Sequence, residues 1–303
     1  MDKIDDLLVL IILNYNDYDT TNDCIAQLLK VGVKYQIIVV DNCSTNNSYT
    51  ILFNTWENIG NVRVIKTEKN GGYSYGNNQG IFEANKIADF KYYCIMNPDV
   101  IVEENYFKEL CSYLDEMPEY AVISPLMVYP DKLDLSMISW NMRTAEEIYK
   151  NHFLLSKRPK CKEVYKYLGN GLIEADTVPG SFFIIKSKDL KDIGYFDDNI
   201  FLYNEETVMA KRLNYIQKKL AITLKFYFIH NHRYEQQMDY VWYRYKNDFN
   251  KIIKNYLVTY ESRKYMCKAY YNGKYIVRLK IINLCNLFLL YIKHVIAILL
   301  WRQ

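Results

Sequence analysis

The 303-residue sequence predicts an α/β fold: a doubly wound, Rossmann-like and mostly parallel sheet flanked by helices, followed by a basic helical extension. Three observations predict it. Short, uninterrupted apolar runs stop abruptly in polar residues, the pattern of parallel strands buried on both faces. Segments with apolar residues at helical spacing alternate with those runs, and β-α-β-α-β-α-β at short spacing argues for a doubly wound sheet. The charge is also divided. Residues 241–303 hold 12 Lys/Arg against 2 Asp/Glu, a net +10, while the rest of the chain holds 26 against 33, a net −7. An overall charge of +3 therefore hides an acidic body and a basic tail.

In chain order, Leu7 to Leu13 is the first buried strand, and Asn14-Tyr15-Asn16-Asp17 is its exit loop. A helix follows over Thr20 to Lys30. Gln36 to Val40 is the second strand, ending in Asp41-Asn42-Cys43-Ser44-Thr45, and Ser48 to Glu57 reads as a helix. Val62 to Lys66 is the third strand; Asn70-Gly71-Gly72 and a helix from about Tyr75 to Ile87 follow. Tyr92 to Met96 is the fourth strand, closed by Asn97-Pro98-Asp99, because Pro98 removes a backbone donor. Ala121 to Pro125 and Thr177 to Lys186 read as further strands, the latter containing Pro179-Gly180-Ser181. Residues 130–175 show little periodicity. Tyr203 to Gln217 reads as a loop and a helix, Leu220 to Ile229 as a strand ending in His230-Asn231-His232, and the chain from about Asp239 as helical. Charge and periodicity divide the chain into residues 1–235 (halves at about 1–125 and 126–235) and a tail over 236–303.

Half of the residues are apolar, enough for a sizeable core. The seven cysteines are odd in number and show no Cys-x-x-Cys spacing, which reads as reduced, buried thiols of a cytosolic protein. Residues 1–20 lack the basic start, apolar run and small-residue cleavage site of a signal peptide.

Ligands of doubly wound sheets bind at the carboxyl ends of the strands, and the polar clusters lie there. Asp99 at a strand end suits a divalent cation bridging to a diphosphate; its structural reading is a solvated turn residue. Asp41 suits a ribose hydroxyl or a base imide, or else an Asx-turn, and Asn14 and Tyr15 would flank a base, with Tyr15 stacking on it. Asn70-Gly71-Gly72 with Gly76-Asn77-Asn78 permits close backbone approach at a helix start, although it is neither a phosphate loop nor a dinucleotide signature. Glu205-Glu206 opens a helix, where acids favour the dipole or serve as a general base. His230 and His232 are candidate metal ligands, and in a regular strand only one of them would face the metal.

Together these residues resemble family 2 glycosyltransferases of the GT-A fold, especially bacterial surface-polysaccharide and rhamnosyl-type enzymes. The stretches that carry the resemblance are Ile11 to Asn16, Ile37 to Ser44, Asn70 to Gly80, Ile95 to Asp99, Pro179 to Phe183, Gly194 to Asp197, Phe201 to Glu206, and His230, in the family's order. The resemblance implies that Asp41, Asn14 and Tyr15 hold the base and that Asn70, Gly71 and Asn78 approach the ribose and diphosphate. Asp99 would bind Mg²⁺ or Mn²⁺, with Asn97 where many relatives have the first Asp of Asp-x-Asp. Glu206 stands at the position of the usual base, with Glu205 still open; His230 resembles the metal-supporting His, with His232 as the alternative. Gly180 and Ser181 would position acceptor or sugar. The activity implied is single-displacement, inverting transfer from a UDP- or dTDP-sugar to a glycan hydroxyl, with the acceptor carried on polyprenyl diphosphate at the inner face of the plasma membrane.

Ile281 to Trp301 is near spanning length, but Lys293-His294 interrupt it and Lys/Arg precede it. That favours an interfacial helix at an anionic membrane over a span, with packing on the catalytic part or on a second copy as the alternative. A nucleotidyltransferase would need a Gly-rich basic loop where Asn14-Tyr15-Asn16-Asp17 stands. No nucleic-acid module is recognisable, so no nucleic-acid partner is expected. An inactive carbohydrate-binding or scaffold protein of the same fold is the non-enzymatic rival.

Overall fold

The structure, a computed structural model, describes residues 7–130, 142, 144–155, 165–231, 238–273 and 275–300. It divides into two compact units, Met1–Met142 with Cys161–Asp198 and Glu205–His232, and Arg143–Lys160 with Asn199–Asn204 and Arg233–Gln303. The expected boundary near 235 lies outside the described residues.

The first unit begins with β1 (Leu8–Asn14), α1 (Tyr18–Lys30), β2 (Gln36–Asp41), α2 (Ser48–Trp56), β3 (Val62–Lys66), α3 (Gly72–Ala84), β4 (Tyr92–Met96), the two-residue β5 (Val100–Ile101), α4 (Phe107–Glu116) and β6 (Tyr120–Val128). After α5 (Ala145–His152) of the second unit come β7 (Lys166–Gly169), β8 (Leu172–Ala175), β9 (Phe182–Lys186), α6 (Ser187–Asp192), α7 (Glu205–Tyr215) and β10 (Lys219–His230). The second unit continues with α8 (Met238–Asn247), α9 (Phe249–Tyr270) and α10 (Ile276–Leu300).

The strand order is β3-β2-β1-β4-β9-β6-β10-β8-β7, with β5 paired to the end of β10. β3, β2, β1 and β4 run parallel, β9 inserts antiparallel between β4 and β6, and β10 runs parallel to β6. The uninterrupted apolar runs have a simple cause. Leu8, Leu10, Ile12, Ile37 and Val39 pack with α1, α2 and α4 in one core, while Val9, Ile11, Ile38 and Val40 pack with α3, α6 and α7 in the other. Alternate side chains of each central strand are thus buried on opposite faces, so no polar alternation appears.

Helix α3 starts three residues earlier than its periodicity indicates, because its glycines serve the sheet. A Cβ on Gly76 would lie 2.3 Å from Leu13 Cδ1, and one on Gly80 would lie 2.5 Å from Ile11 Cγ2 and 2.8 Å from Val40 Cγ2. The helix backbone thus rests directly on β1 and β2. The aperiodic stretch 130–175 also contains α5, β7 and β8. These are specified by end signals and not by period: a Thr144–Glu147 capping box opens α5, and Asn170-Gly171, both at positive φ, turns the β7–β8 hairpin. The run Thr177 to Lys186 becomes a strand only at Phe182, so Pro179-Gly180-Ser181 precedes β9.

Of the cysteines, Cys24, Cys94, Cys111 and Cys267 are buried free thiols, and burial pushes Cys24 up to about 12. Two depart from the expectation, since Cys285 is exposed and Cys43 is half-buried; Cys161 lies outside the described residues.

In the second unit α5, α8, α9 and α10 pack together around a polar clasp. Arg263 Nη1 donates to His152 Nδ1 (2.8 Å), so the ring proton sits on Nε2 and points to Tyr256 Oη (2.9 Å). Tyr256 donates to Asn283 Oδ1 (2.8 Å), and Asn286 Nδ2 donates to the His152 carbonyl (2.7 Å). Burial, and then the neighbouring Arg263 charge, lower His152 from 6.5 to about 4. The unfolded chain therefore takes up this proton first as pH falls, and stability present above pH 6.5 is lost between pH 6.5 and 4. The loss is up to about 3 kcal/mol. Thermal midpoints measured from pH 7 to 4.5 should fall more steeply in the wild type than in His152→Gln. Parallel slopes would show that His152 does not set this acid sensitivity.

Candidate functional site

The site is assembled at the carboxyl ends of β1, β2 and β4. The chain runs from β1 outward to β2 and β3, then returns to place β4 on the other side of β1. In doubly wound sheets such a reversal is where ligands bind beyond the strand ends.

On the β1–β2 side Asn14 and Asp41 are register partners and fully buried. Asn14 Nδ2 donates to Asp41 Oδ1 (2.8 Å), Thr21 Oγ1 donates to Asn14 Oδ1 (3.0 Å), and Asp41 Oδ2 accepts from the Ser44 amide (2.9 Å). Asn16, at a φ of 58°, donates its amide to Ser44 Oγ (2.8 Å) and accepts from the Thr45 amide (2.8 Å). The two strand-end loops are thereby sewn together, and Tyr15 projects between their anchored residues, 45% exposed. Asn14 and Asp41 give this loop its shape, whereas Tyr15 presents a free aromatic face.

The next edge is held by Asn42. Its Nδ2 donates to Asn70 Oδ1 (3.1 Å) and to the Gly72 carbonyl (3.0 Å), while Asn70 Oδ1 also accepts from the Gly72 amide (3.1 Å). Gly71 lies under the Tyr75 ring, where a Cβ would come within 2.3 Å of ring carbons. Asn78 is directed elsewhere. Its amide bonds the Phe196 backbone on both sides (2.9 and 3.1 Å) and Asp198 Oδ1 (2.6 Å), so it anchors the 196–198 loop. Burial raises the Asp198 carboxyl above its ordinary value.

On the β4 side the antiparallel insertion of β9 determines the geometry. Met96 pairs with Phe182, so the start of β9 meets the end of β4, and the Asn97 amide donates to the Ser181 carbonyl (2.8 Å). Immediately beyond Asp99, β5 pairs with β10 through Val100 and His230, and the Asn231 amide donates to the Asp99 carbonyl (2.8 Å). This pairing brings His230 Nε2 to 3.3 Å from Asp99 Oδ2, with the side chains 16% and 22% exposed. His232 lies outside the described residues.

The acid pair opens α7, where the helix dipole favours carboxylates. Tyr203 and Asn204 just before it hold φ values of 68° and 77°, a strained approach for non-glycine residues. Glu205 is 8% exposed, and Glu206 is more accessible. A Cβ on Gly180 would stand 3.8 Å from Glu206 Oε2, and Tyr73 Oη donates to the Gly180 carbonyl (2.5 Å). Burial, then Glu205 and Glu206, hold the Tyr73 hydroxyl well above its ordinary value, so it remains a neutral donor. Gly180, Ser181, Asn97 and Glu206 are therefore brought to one edge of the site, with Asp99 and His230 just beyond Asn97.

Comparison with known proteins gives the family and the fold. The model of glycosyl transferase family 2 matches residues 9–188, more than half the chain, and the protein belongs to that family. Among its relatives, the low-salt glycan biosynthesis hexosyltransferase Agl10 of Haloferax volcanii is 25% identical over 210 residues, 69% of this chain and 62% of that protein. The chain thus spans less than two thirds of that relative's length. The structure of GalNAc-T7 with UDP, GalNAc and Mn²⁺ aligns at a TM-score of 0.58 and 15% identity, over 76% of this chain and 44% of that one. The mannosyltransferase PcManGT from Pyrobaculum calidifontis, in complex with GDP-Man and Mn²⁺, aligns at 0.53 and 11% identity, over 91% and 73%. The fold is GT-A.

No local sequence signal marks a role for Tyr73, Asn42 or Ser44, although all three lie inside the family stretches. Their contribution is a side-chain bond across 28 to 107 residues of chain, for which no local pattern exists.

Proposed function

We propose that the protein transfers a sugar, with inversion, from a UDP- or dTDP-sugar to a hydroxyl of a growing glycan carried on polyprenyl diphosphate at the inner membrane face. The observation that supports this best is the Asp99–His230 pair at 3.3 Å, two residues beyond the Asn97–Ser181 edge of a family 2 fold.

The pair fits a divalent cation. A carboxylate oxygen and an imidazole nitrogen are suitable donors, and adjacent ligands of a six-coordinate ion with bonds near 2.1 Å stand about 3 Å apart. Among the described residues no group of three His, Cys, Asp or Glu converges, which suits an ion that takes its other ligands from substrate phosphates and water. Mg²⁺ or Mn²⁺ bound by Asp99 and His230 would supply Lewis-acid stabilisation of the diphosphate charge. The chain's own groups do the rest. Tyr15 stacks on the base within the loop shaped by Asn14 and Asp41. The Asn70–Gly72 turn, fixed by Asn42, lets the backbone approach the ribose and diphosphate. Gly180 leaves room beside Glu206 for the acceptor. Glu206 takes the acceptor proton as the new bond to the anomeric carbon forms and the bond to the diphosphate oxygen breaks.

Donor turnover measured over a panel of UDP-, dTDP- and GDP-sugars, with product detection by mass spectrometry, tests the proposal. Hydrolysis or transfer with a UDP- or dTDP-sugar is the expected result. Carbohydrate binding with no donor turnover across the panel would favour a scaffold of the same fold.

A further inference from the structure

We infer that the outward arc of α10 is a membrane-binding surface that lies in the headgroup layer of an anionic bilayer without crossing it. The inference concerns the second unit alone and does not depend on the transfer reaction.

Val277, Ile281, Leu284, Phe288, Tyr291 and Leu299 are each 56–70% exposed. At 100° per residue they fall within an arc of about 80°. Large side chains left wet along about six turns of one helix mark a surface that meets something apolar. Arg278 and Lys280 are exposed and flank this arc at its N-terminal end, and the 25-residue helix contains no Asp or Glu. The helix belongs to a segment with a net charge of +10. An apolar arc with cations at its rim is complementary to anionic lipid. A second copy paired in parallel is a poorer occupant, since it would bring these cations together with no acid on the helix to answer them.

The opposite face decides between lying on the membrane and crossing it. By length and composition Ile276–Leu299 could span, with a mean hydropathy of 1.9. Yet its inward face carries Asn283 and Asn286, bonded to Tyr256, to the His152 carbonyl and to the Leu154 amide. His294 stacks on Phe249 at 4.1 Å and bonds the Tyr245 carbonyl (2.5 Å), and Lys293 lies over the Tyr245 ring. All four polar residues are held by the helical unit. Insertion as a span would break these bonds and leave their partners in hydrocarbon. The two residues that interrupt the apolar run in the sequence therefore do not interrupt the outward arc.

Flotation of the full-length chain tests this, using phosphatidylcholine vesicles with and without about 30% phosphatidylglycerol. The wild type should float with the anionic vesicles and less with neutral ones, and Leu284→Asp/Phe288→Asp should reduce binding at least about tenfold. Circular dichroism and thermal melting report whether that variant is folded; if it is not, a bimane label on the exposed Cys285 gives a second reading. The label should shift to the blue on anionic vesicles, with Cys285→Ser as the unlabelled control. Failure of the wild type to float, equal flotation of wild type and double variant, or an unshifted label would overturn the inference. So would retention in membranes after alkaline carbonate extraction, which means a span. A wild-type dimer that the double variant dissociates, without vesicle binding, would assign the arc to a second copy instead.

Discussion

Glu206→Gln is expected to lower sugar transfer by between about a hundredfold and ten-thousandfold, the range over which a positioned general base contributes. The substitution keeps the shape and removes only the ability to take a proton. Donor affinity, measured by calorimetry with a non-hydrolysable nucleotide sugar, should change by no more than about threefold, because the proposed base acts on the acceptor hydroxyl. Glu205→Gln separates the two acids. Glu205 is 8% exposed, so its replacement should act on stability and leave transfer within about tenfold once the folded fraction is equalised. Full transfer in Glu206→Gln with loss in Glu205→Gln would move the base to Glu205. Full transfer in both would falsify a carboxylate base on α7.

Asp99→Asn should cost at least about a hundredfold in transfer, since a bound cation contributes several kcal/mol of charge stabilisation at a leaving diphosphate. The direct readout is Mn²⁺ affinity in the presence of a nucleoside diphosphate, followed by electron paramagnetic resonance. Asp99→Asn and His230→Gln should both weaken Mn²⁺ binding, and added metal should restore part of the activity of His230→Gln. The two side chains stand 3.3 Å apart and are proposed to share one ion, so the double variant should lose less than the sum of the single losses. Unchanged wild-type turnover in excess chelator would remove the metal from the reaction.

Much of the first unit was legible because its signals are local. The runs at Leu8–Leu13, Gln36–Val40 and Tyr92–Met96 are strands whose burial on both faces leaves a mark that needs no knowledge of neighbours, and Val62–Lys66 is the edge strand β3, with Arg63 and Lys66 exposed. Where periodicity was the sole guide the reading was thinner. Phe107, Leu110, Cys111 and Leu114 form the buried stripe of α4 at regular helical spacing, a helix that the sequence reading lacks. The Asn170-Gly171 turn was a short-range signal as well. The helix start at Gly72 was obscured because Gly76 and Gly80 weaken helical propensity for the sake of contact with Leu13, Ile11 and Val40.

The sequence by itself determined which residues stand at strand ends, because an apolar run and the polar residues that stop it are neighbours in the chain. Only the tertiary structure decided which of them meet. Asp99 reaches His230 through a two-residue strand paired across 130 residues of chain. Gly180 reaches Glu206, and Ser181 reaches Asn97, because β9 enters the sheet antiparallel beside β4. On α10 the composition announced an apolar helix, but only the clasp around His152 and Tyr256 determined which face is turned inward. The physical reason is common to all three. A strand or helix is specified by its own side chains, whereas register and orientation are set by burial and hydrogen bonds shared among distant segments, and no single segment encodes them.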